Sequence, residues 1–143
     1  MKKLVLISCA LLFAISVNAQ EWGTVEGNSV TVREIPPVWP GCEEGNVEQR
    51  DQCFLNKLGR HVAENYRYPE EEYKNKIQGT VIVEFIINTE GIIEIQKVSG
   101  GSEGLQKEAK RNIMLIPKMS KPGMLGGKPR AIPYTVPITF KLN

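Results

Sequence analysis

Apolar residues recur at helical spacing in two parts of the chain. In residues 52–66 they recur mainly four positions apart, with polar residues between them. These apolar positions are Phe54, Leu55, Leu58, Val62 and Tyr66. We expect a short amphipathic helix here, and the main packing helix where Leu105, Ala109, Ile113 and Met114 lie at helical spacing. Between the two, Pro69 and the three acidic residues after it favour the start of another helical turn.

Two adjacent segments have the composition of β-strands. Residues 79–88 are almost all β-branched or aromatic, and residues 91–99 continue with isoleucine and valine. The residues from Asn88 to Gly91 supply the polar and glycine positions of a tight turn. This arrangement predicts a β-hairpin.

The last strand predicted from the pattern covers residues 132–142. It contains Pro133 and Pro137, and proline within a strand suits only an edge position. The proline- and glycine-containing residues 118–128 before it are interpreted as a loop. The fold class is therefore α+β: a three-stranded antiparallel sheet with a packing helix on one face (ββαβ), preceded by a short helix.

The N-terminus has the pattern of an export signal. Lys2 and Lys3 precede an apolar run in residues 4–17, and small residues follow up to Ala19. This predicts a signal peptide in residues 1–19 and a periplasmic location after export. The run is shorter than the roughly 20 apolar residues that span a bilayer. The alternative is an uncleaved inner-membrane anchor with a periplasmic domain.

Charge does not indicate a nucleic-acid partner. Loss of Lys2 and Lys3 with the signal peptide reduces the 18 basic residues to 16, which balance the 16 acidic residues. A surface that follows phosphates requires clustered Lys and Arg residues with aromatic residues between them. The sequence has no such stripe, so we expect no nucleic-acid binding.

Two cysteines remain after export. Cys9 lies within the predicted signal peptide, which leaves Cys42 and Cys53 in a compartment that oxidises thiols. We expect a disulfide between them. A metal site that also uses His61 is the alternative, but ten residues between the cysteines and a single histidine match no usual zinc spacing.

The residues that enzymes use are scarce. The chain has one histidine, one aspartate (Asp51) and no serine in a nucleophile-elbow pattern. The glycines in residues 100–104 do not have the spacing of a nucleotide-binding loop. We therefore expect no catalytic residues, no metal and no cofactor.

The combination of these features resembles the C-terminal domain of the TonB family of energy transducers. The features are Tyr68-Pro69 before a short helix, the hairpin, the helix at 105–114 and the closing strand. Residues 38–42 and Cys53 resemble the extension of the disulfide-bearing branch. The likeness covers residues 36–143. Residues 20–35 are interpreted as a flexible leader, and the alternative for residues 20–34 is a stray edge strand.

The resemblance implies a periplasmic module that binds TonB-dependent outer-membrane receptors. Members of the family take the TonB-box peptide of a receptor as an added strand. Full transducers also couple to the proton-driven ExbB/ExbD motor through a retained N-terminal helix. The alternative is a soluble periplasmic accessory protein that is not coupled to this motor and binds another protein, a cell-wall polymer or itself as a homodimer.

Carried over by position, the partner contacts fall on the last strand and on the residues before Pro69. The expected partner-binding residues are Tyr66, Arg67, Tyr68, Thr135, Pro137, Thr139 and Lys141. Backbone groups alternate along a strand, so Pro133, Thr135 and Pro137 all face one neighbour. Because prolines cannot donate, that side is expected to be the open edge. Either the prolines prevent unwanted pairing, or a peptide pairs only along residues 135–141.

Overall fold

The computed structural model describes residues 33–143. In chain order its elements are β1 (Glu34–Ile35), α1 (Val47–Glu64), α2 (Glu70–Lys74), β2 (Gly79–Ile87), β3 (Ile93–Ser99), α3 (Glu103–Met114), β4 (Gly123–Leu125), β5 (Lys128–Arg130) and β6 (Ile132–Phe140). None of the helices in this part is long and apolar enough to cross a membrane. The predicted signal peptide and residues 20–32 of the predicted leader lie outside the described residues.

A three-stranded antiparallel sheet in the order β3-β2-β6 forms the centre of the fold. All nine residues of β2 pair with the nine of β6, beginning with Gly79 opposite Phe140. The turn between β2 and β3 is closed by a 2.9 Å hydrogen bond from the N–H of Gly91 to the carbonyl of Asn88. The predicted ββαβ order and the α+β fold class are therefore confirmed.

The core lies between one face of this sheet and the two longer helices. Side chains alternate across a strand, and every second side chain of β2 is buried. These are Val81, Val83, Phe85 and Ile87. α3 buries Leu105, Ala109 and Ile113, whereas Met114, the fourth position predicted from helical spacing, is 55% exposed. Burying each large aliphatic side chain stabilises the fold by about 1.5–3 kcal/mol.

Asn112, which is 2% exposed, connects α1 to α3. Its side-chain Nδ2 donates to the carbonyl of Val62 over 2.9 Å. Its backbone carbonyl accepts from Nε2 of His61, also over 2.9 Å. The last carbonyls of a helix have no partner within the helix, so Asn112 satisfies one such group at the end of α1.

α1 begins five residues earlier than the periodicity of apolar residues predicts. Asn46 caps the helix: its side chain accepts from the N–H of Gln49, and the Gln49 side chain accepts from the N–H of Asn46. This capping box satisfies two backbone donors and fixes the start at Val47. The helix ends at Glu64, so Tyr66 lies beyond it.

The prediction of a loop at residues 118–128 is wrong in part, because a small hairpin forms there. β4 and β5 are joined by Gly126 and Gly127, which both have positive φ, 58° and 77°. Two such residues form the turn that best fits a two-residue hairpin, and glycine adopts this conformation without strain. β1 pairs with β4, so Glu34 and Ile35 of the predicted leader belong to a second, three-stranded sheet.

The predicted disulfide between Cys42 and Cys53 is present, with the two Cα atoms 5.8 Å apart. It joins the segment before α1 to α1 itself. In that segment Trp39 is 6% exposed and packs edge-on against Phe54, with ring centroids 5.7 Å apart. The disulfide and the tryptophan together fix this extension on the core.

Candidate functional site

β6 is an edge strand of the main sheet, because β2 lies on one side of it and no described strand lies on the other. Pro133 lies opposite Ile86, and Pro137 lies opposite Ile82. Neither proline has an N–H to donate to β2. Backbone groups alternate along a strand, so the N–H of Thr135 is directed to the open side with the prolines.

The side chains of this strand separate into two faces. Those of Pro133, Thr135 and Pro137 are exposed on the face opposite the helices. Thr139 is also exposed, and its Oγ1 lies 3.0 Å from Oγ1 of Thr80 on β2. The backbone groups of Thr135 and Thr139 are therefore available to a partner at the open edge. The side chain of Thr139 instead contacts Thr80 within the sheet.

Tyr66 and Tyr68 hold the end of β6 in place. The ring of Tyr66 stacks on Phe140 at 5.2 Å, and that of Tyr68 meets Phe140 edge-on at 5.7 Å. The hydroxyl of Tyr68 donates to the carbonyl of Ile77. The pKa of Tyr66 is raised, mainly because the hydroxyl is partly buried and to a smaller extent because Tyr68 is nearby. A hydrogen bond with the backbone of Lys141 acts in the opposite direction. Both tyrosines therefore support the end of the strand.

Arg67 differs from the tyrosines on either side of it. Its side chain is exposed, and within residues 33–143 it forms no ion pair. The structure therefore does not place Arg67 with the other predicted partner-binding residues. Its contact with a partner stays a prediction.

A groove of about 530 Å³ lies beyond the end of β6. We call it the tyrosine–lysine groove; its lining residues are Tyr66, Tyr68, Tyr73, Lys76, Lys141, Leu142 and Asn143. Three residues predicted from the sequence, Tyr66, Tyr68 and Lys141, meet here. Tyr73 and Lys76 were missed. The available signal was Tyr73 itself, an aromatic residue in an otherwise charged segment.

Lys76 has a backbone conformation that is uncommon for its residue type. Its φ is 52°, in the left-handed region, and no other residue of the described part except glycine has a positive φ. The N–H of Ile77 donates to the backbone carbonyl of Glu72 over 2.8 Å, and the N–H of Lys76 donates to the backbone carbonyl of Tyr73 over 3.2 Å. These two bonds close the end of α2 in the arrangement that usually has glycine at this position.

The tyrosine–lysine groove has a positive rim. Among residues 33–143, no carboxylate forms an ion pair with Lys76 or Lys141. Lys74, two residues before Lys76, differs because it pairs with Glu70 at 2.6 Å and does not line the groove. The groove therefore combines aromatic surfaces with two lysines that have no acidic partner in this part of the chain.

His61 takes part in the packing of the helices. Nε2 bonds the backbone carbonyl of Asn112, and Nδ1 lies 3.3 Å from Nδ2 of Asn65. Its ring centroid lies 5.9 Å from that of Trp39. Within the described range, no three His, Cys, Asp or Glu residues are grouped in a way that could hold a metal ion.

Comparison with known proteins gives one family and two solved structures. The family model described as Gram-negative bacterial TonB protein C-terminal matches residues 64–142, which include every predicted partner-binding residue. The solution structure of the Helicobacter pylori TonB C-terminal domain (residues 179–285) is 22% identical, covers 71% of this chain and 87% of that chain, and has a TM-score of 0.45. A shorter form of the same domain (residues 194–285) is 23% identical, with coverages of 62% and 92% and a TM-score of 0.37. No curated protein matches the chain.

Proposed function

The chain belongs to the family of the C-terminal domain of Gram-negative bacterial TonB proteins, and on this basis we propose that it is a periplasmic module that binds TonB-dependent outer-membrane receptors. The receptor's TonB-box peptide would add to β6 as a further strand. The main support for the proposal is the edge of β6, which no other strand of the described residues pairs with. β6 and most of the tyrosine–lysine groove lie within the residues that match the family.

The two prolines limit where such a peptide can pair. The open edge offers carbonyl acceptors along its length, but its N–H donors within β6 are those of Thr135 and Thr139. Backbone hydrogen bonds supply the affinity in strand addition. We therefore place the paired region at residues 135–141, where the donors lie and where Tyr66 and Tyr68 support the strand.

A single outward donor provides the test. We expect Thr135→Pro, which removes the N–H, to weaken binding of a TonB-box peptide to the full chain by about three- to tenfold, because one hydrogen bond contributes about 0.5–1.5 kcal/mol. Thr135→Ala keeps the N–H and is the matched control, with affinity close to that of the unchanged chain. Isothermal titration calorimetry measures both. Failure of the unchanged chain to bind any TonB-box peptide or receptor plug would reject the proposal.

Cellular location is tested by the mass of the chain. We expect a periplasmic form that lacks residues 1–19. Retention of these residues in the membrane fraction would instead favour an anchored transducer that couples to ExbB/ExbD. Comparing intact masses in the two fractions separates a periplasmic binding module from an anchored one.

A further inference from the structure

We infer that the tyrosine–lysine groove is a subsite for an acidic residue, with an adjoining aromatic or aliphatic side chain, in the peptide that adds to β6. The inference rests on the proposed function, because the peptide reaches the groove by continuing along the strand. It goes further by naming a side-chain preference that backbone pairing alone does not provide.

The groove adjoins the end of β6. Lys141, Leu142 and Asn143 follow β6 directly in the chain and also line the groove. A strand advances by about 3.3 Å per residue. A peptide paired at Thr135 and Thr139 would therefore reach the end of β6, where the groove begins, within two or three further residues.

The lining of the groove determines which side chain it favours. Lys76 and Lys141 provide positive charge, and neither forms an ion pair with a carboxylate of the described residues. Both lysines line the groove, so a partner's carboxylate bound there would be attracted to them. The rings of Tyr68 and Tyr73, which pack edge-on at 5.8 Å, provide apolar surface for the neighbouring side chain. Tyr73 is 60% exposed, so this surface is open to a ligand.

Lys76 gives independent support through its backbone. Its position at the end of α2 has φ of 52°, where glycine is free of strain and a lysine is not. Strained residues are found most often at binding and catalytic sites. A lysine at this position places a charge on the rim of the groove at some expense of local stability.

The experiment uses four synthetic peptides and the full chain. Each peptide has a core of seven alternating valine and threonine residues with blocked ends. Two carry a Glu-Phe extension, one at each end, and two carry the matched Gln-Phe extension. Affinities are measured by fluorescence anisotropy at low salt and at about 1 M salt, where charge interactions are screened within about 3 Å.

At low salt, we expect the Glu-Phe peptide with the extension at the correct end to bind about three- to tenfold more tightly than its Gln-Phe partner. High salt should bring the ratio of the Glu-Phe affinity to the Gln-Phe affinity close to one. Lys76→Gln and Lys141→Gln should each lower the ratio of the two affinities, whereas Lys74→Gln, the same change two residues before Lys76 and outside the groove, should leave it unchanged. Lys76→Gly should lower the ratio while keeping a melting temperature at or above that of the unchanged chain.

Three results would overturn the inference. The first is equal binding of Glu-Phe and Gln-Phe peptides at low salt, which would leave strand addition intact. The second is an effect of Lys74→Gln as large as that of Lys76→Gln, which would indicate a general effect of charge. The third is no binding of any peptide, which would reject strand addition to β6 and the subsite together.

Discussion

Asn112 is the residue through which α3 holds the end of α1. Its Nδ2 bonds the Val62 carbonyl, and its backbone carbonyl bonds His61. Its Oδ1 is buried and has no hydrogen-bond partner among the described residues. The side chain of Asn112 therefore makes one hydrogen bond through Nδ2, and its Oδ1 has none among the described residues.

We expect Asn112→Ala to lower the free energy of unfolding by about 1–3 kcal/mol, because the Val62 carbonyl then stays buried without a donor. Lys110→Ala, an exposed change on the same helix, should alter it by no more than about 0.5 kcal/mol. Urea denaturation followed by circular dichroism measures both. Equal effects of the two substitutions would contradict the role assigned to Asn112.

Several residues of the site were predicted from sequence and others were not. The open edge followed from the spacing of Pro133 and Pro137 alone, because proline cannot donate to a neighbouring strand. Tyr73 and Lys76 were not predicted, since they line one groove with Lys141 only in the folded chain. A short helix with three acidic residues gives no sign in sequence of which neighbours it will contact.

At the level of elements, the direction of the backbone groups of β6 is the feature on which binding depends. Val136 pairs with Val83 on β2. The N–H of Thr135 is directed outward, because it lies on the same side of the strand as two prolines that cannot donate to β2. We expect Val136→Pro to destabilise the fold by more than about 2 kcal/mol, because it removes a hydrogen bond within the sheet. Thr135→Pro should lower the free energy of unfolding by less than about 1 kcal/mol.

Thermal and urea unfolding of the two proline variants, with Thr135→Ala and Val136→Ala as controls for the lost side chains, measure this difference. A larger loss of unfolding free energy for Thr135→Pro than for Val136→Pro would mean that the backbone groups of Val136, and not those of Thr135, face the open side. The proposed peptide register would then be wrong.

The element order was predicted correctly because apolar periodicity is strong in β2, β3, α3 and β6. The start of α1 and the hairpin of β4 and β5 were missed for different reasons. The capping box of Asn46 and Gln49 adds a polar first turn that apolar spacing does not detect. Three-residue strands are too short to show a period, so only the Gly126-Gly127 pair indicated the hairpin.

At the level of the whole molecule, the disulfide ties the segment before α1 to α1, and neither cysteine is among the proposed partner-binding residues. Cys42 and Cys53 are 11 positions apart, and closing such a loop stabilises a fold by about 3 kcal/mol in the chain-entropy model. We expect the Cys42→Ser, Cys53→Ser double variant to lose about this much stability. Affinity for a TonB-box peptide should be unchanged at temperatures where the variant stays folded.

Calorimetry with and without a reductant checks this expectation. The reductant should lower the melting temperature of the unchanged chain and should have no effect on the double variant. A loss of peptide affinity in the folded double variant would show that the extension before α1 takes part in binding.

Amide hydrogen exchange followed by NMR shows whether a TonB-box peptide adds to the open edge of β6. On addition of the peptide to the full chain, we predict slower exchange at the amides of Thr135 and Thr139, because their N–H groups become hydrogen-bonded. The amides of β3, at the opposite edge of the same sheet, should be unchanged. Protection that appears along Ile93–Ser99 and not at Thr135 or Thr139 would contradict the account.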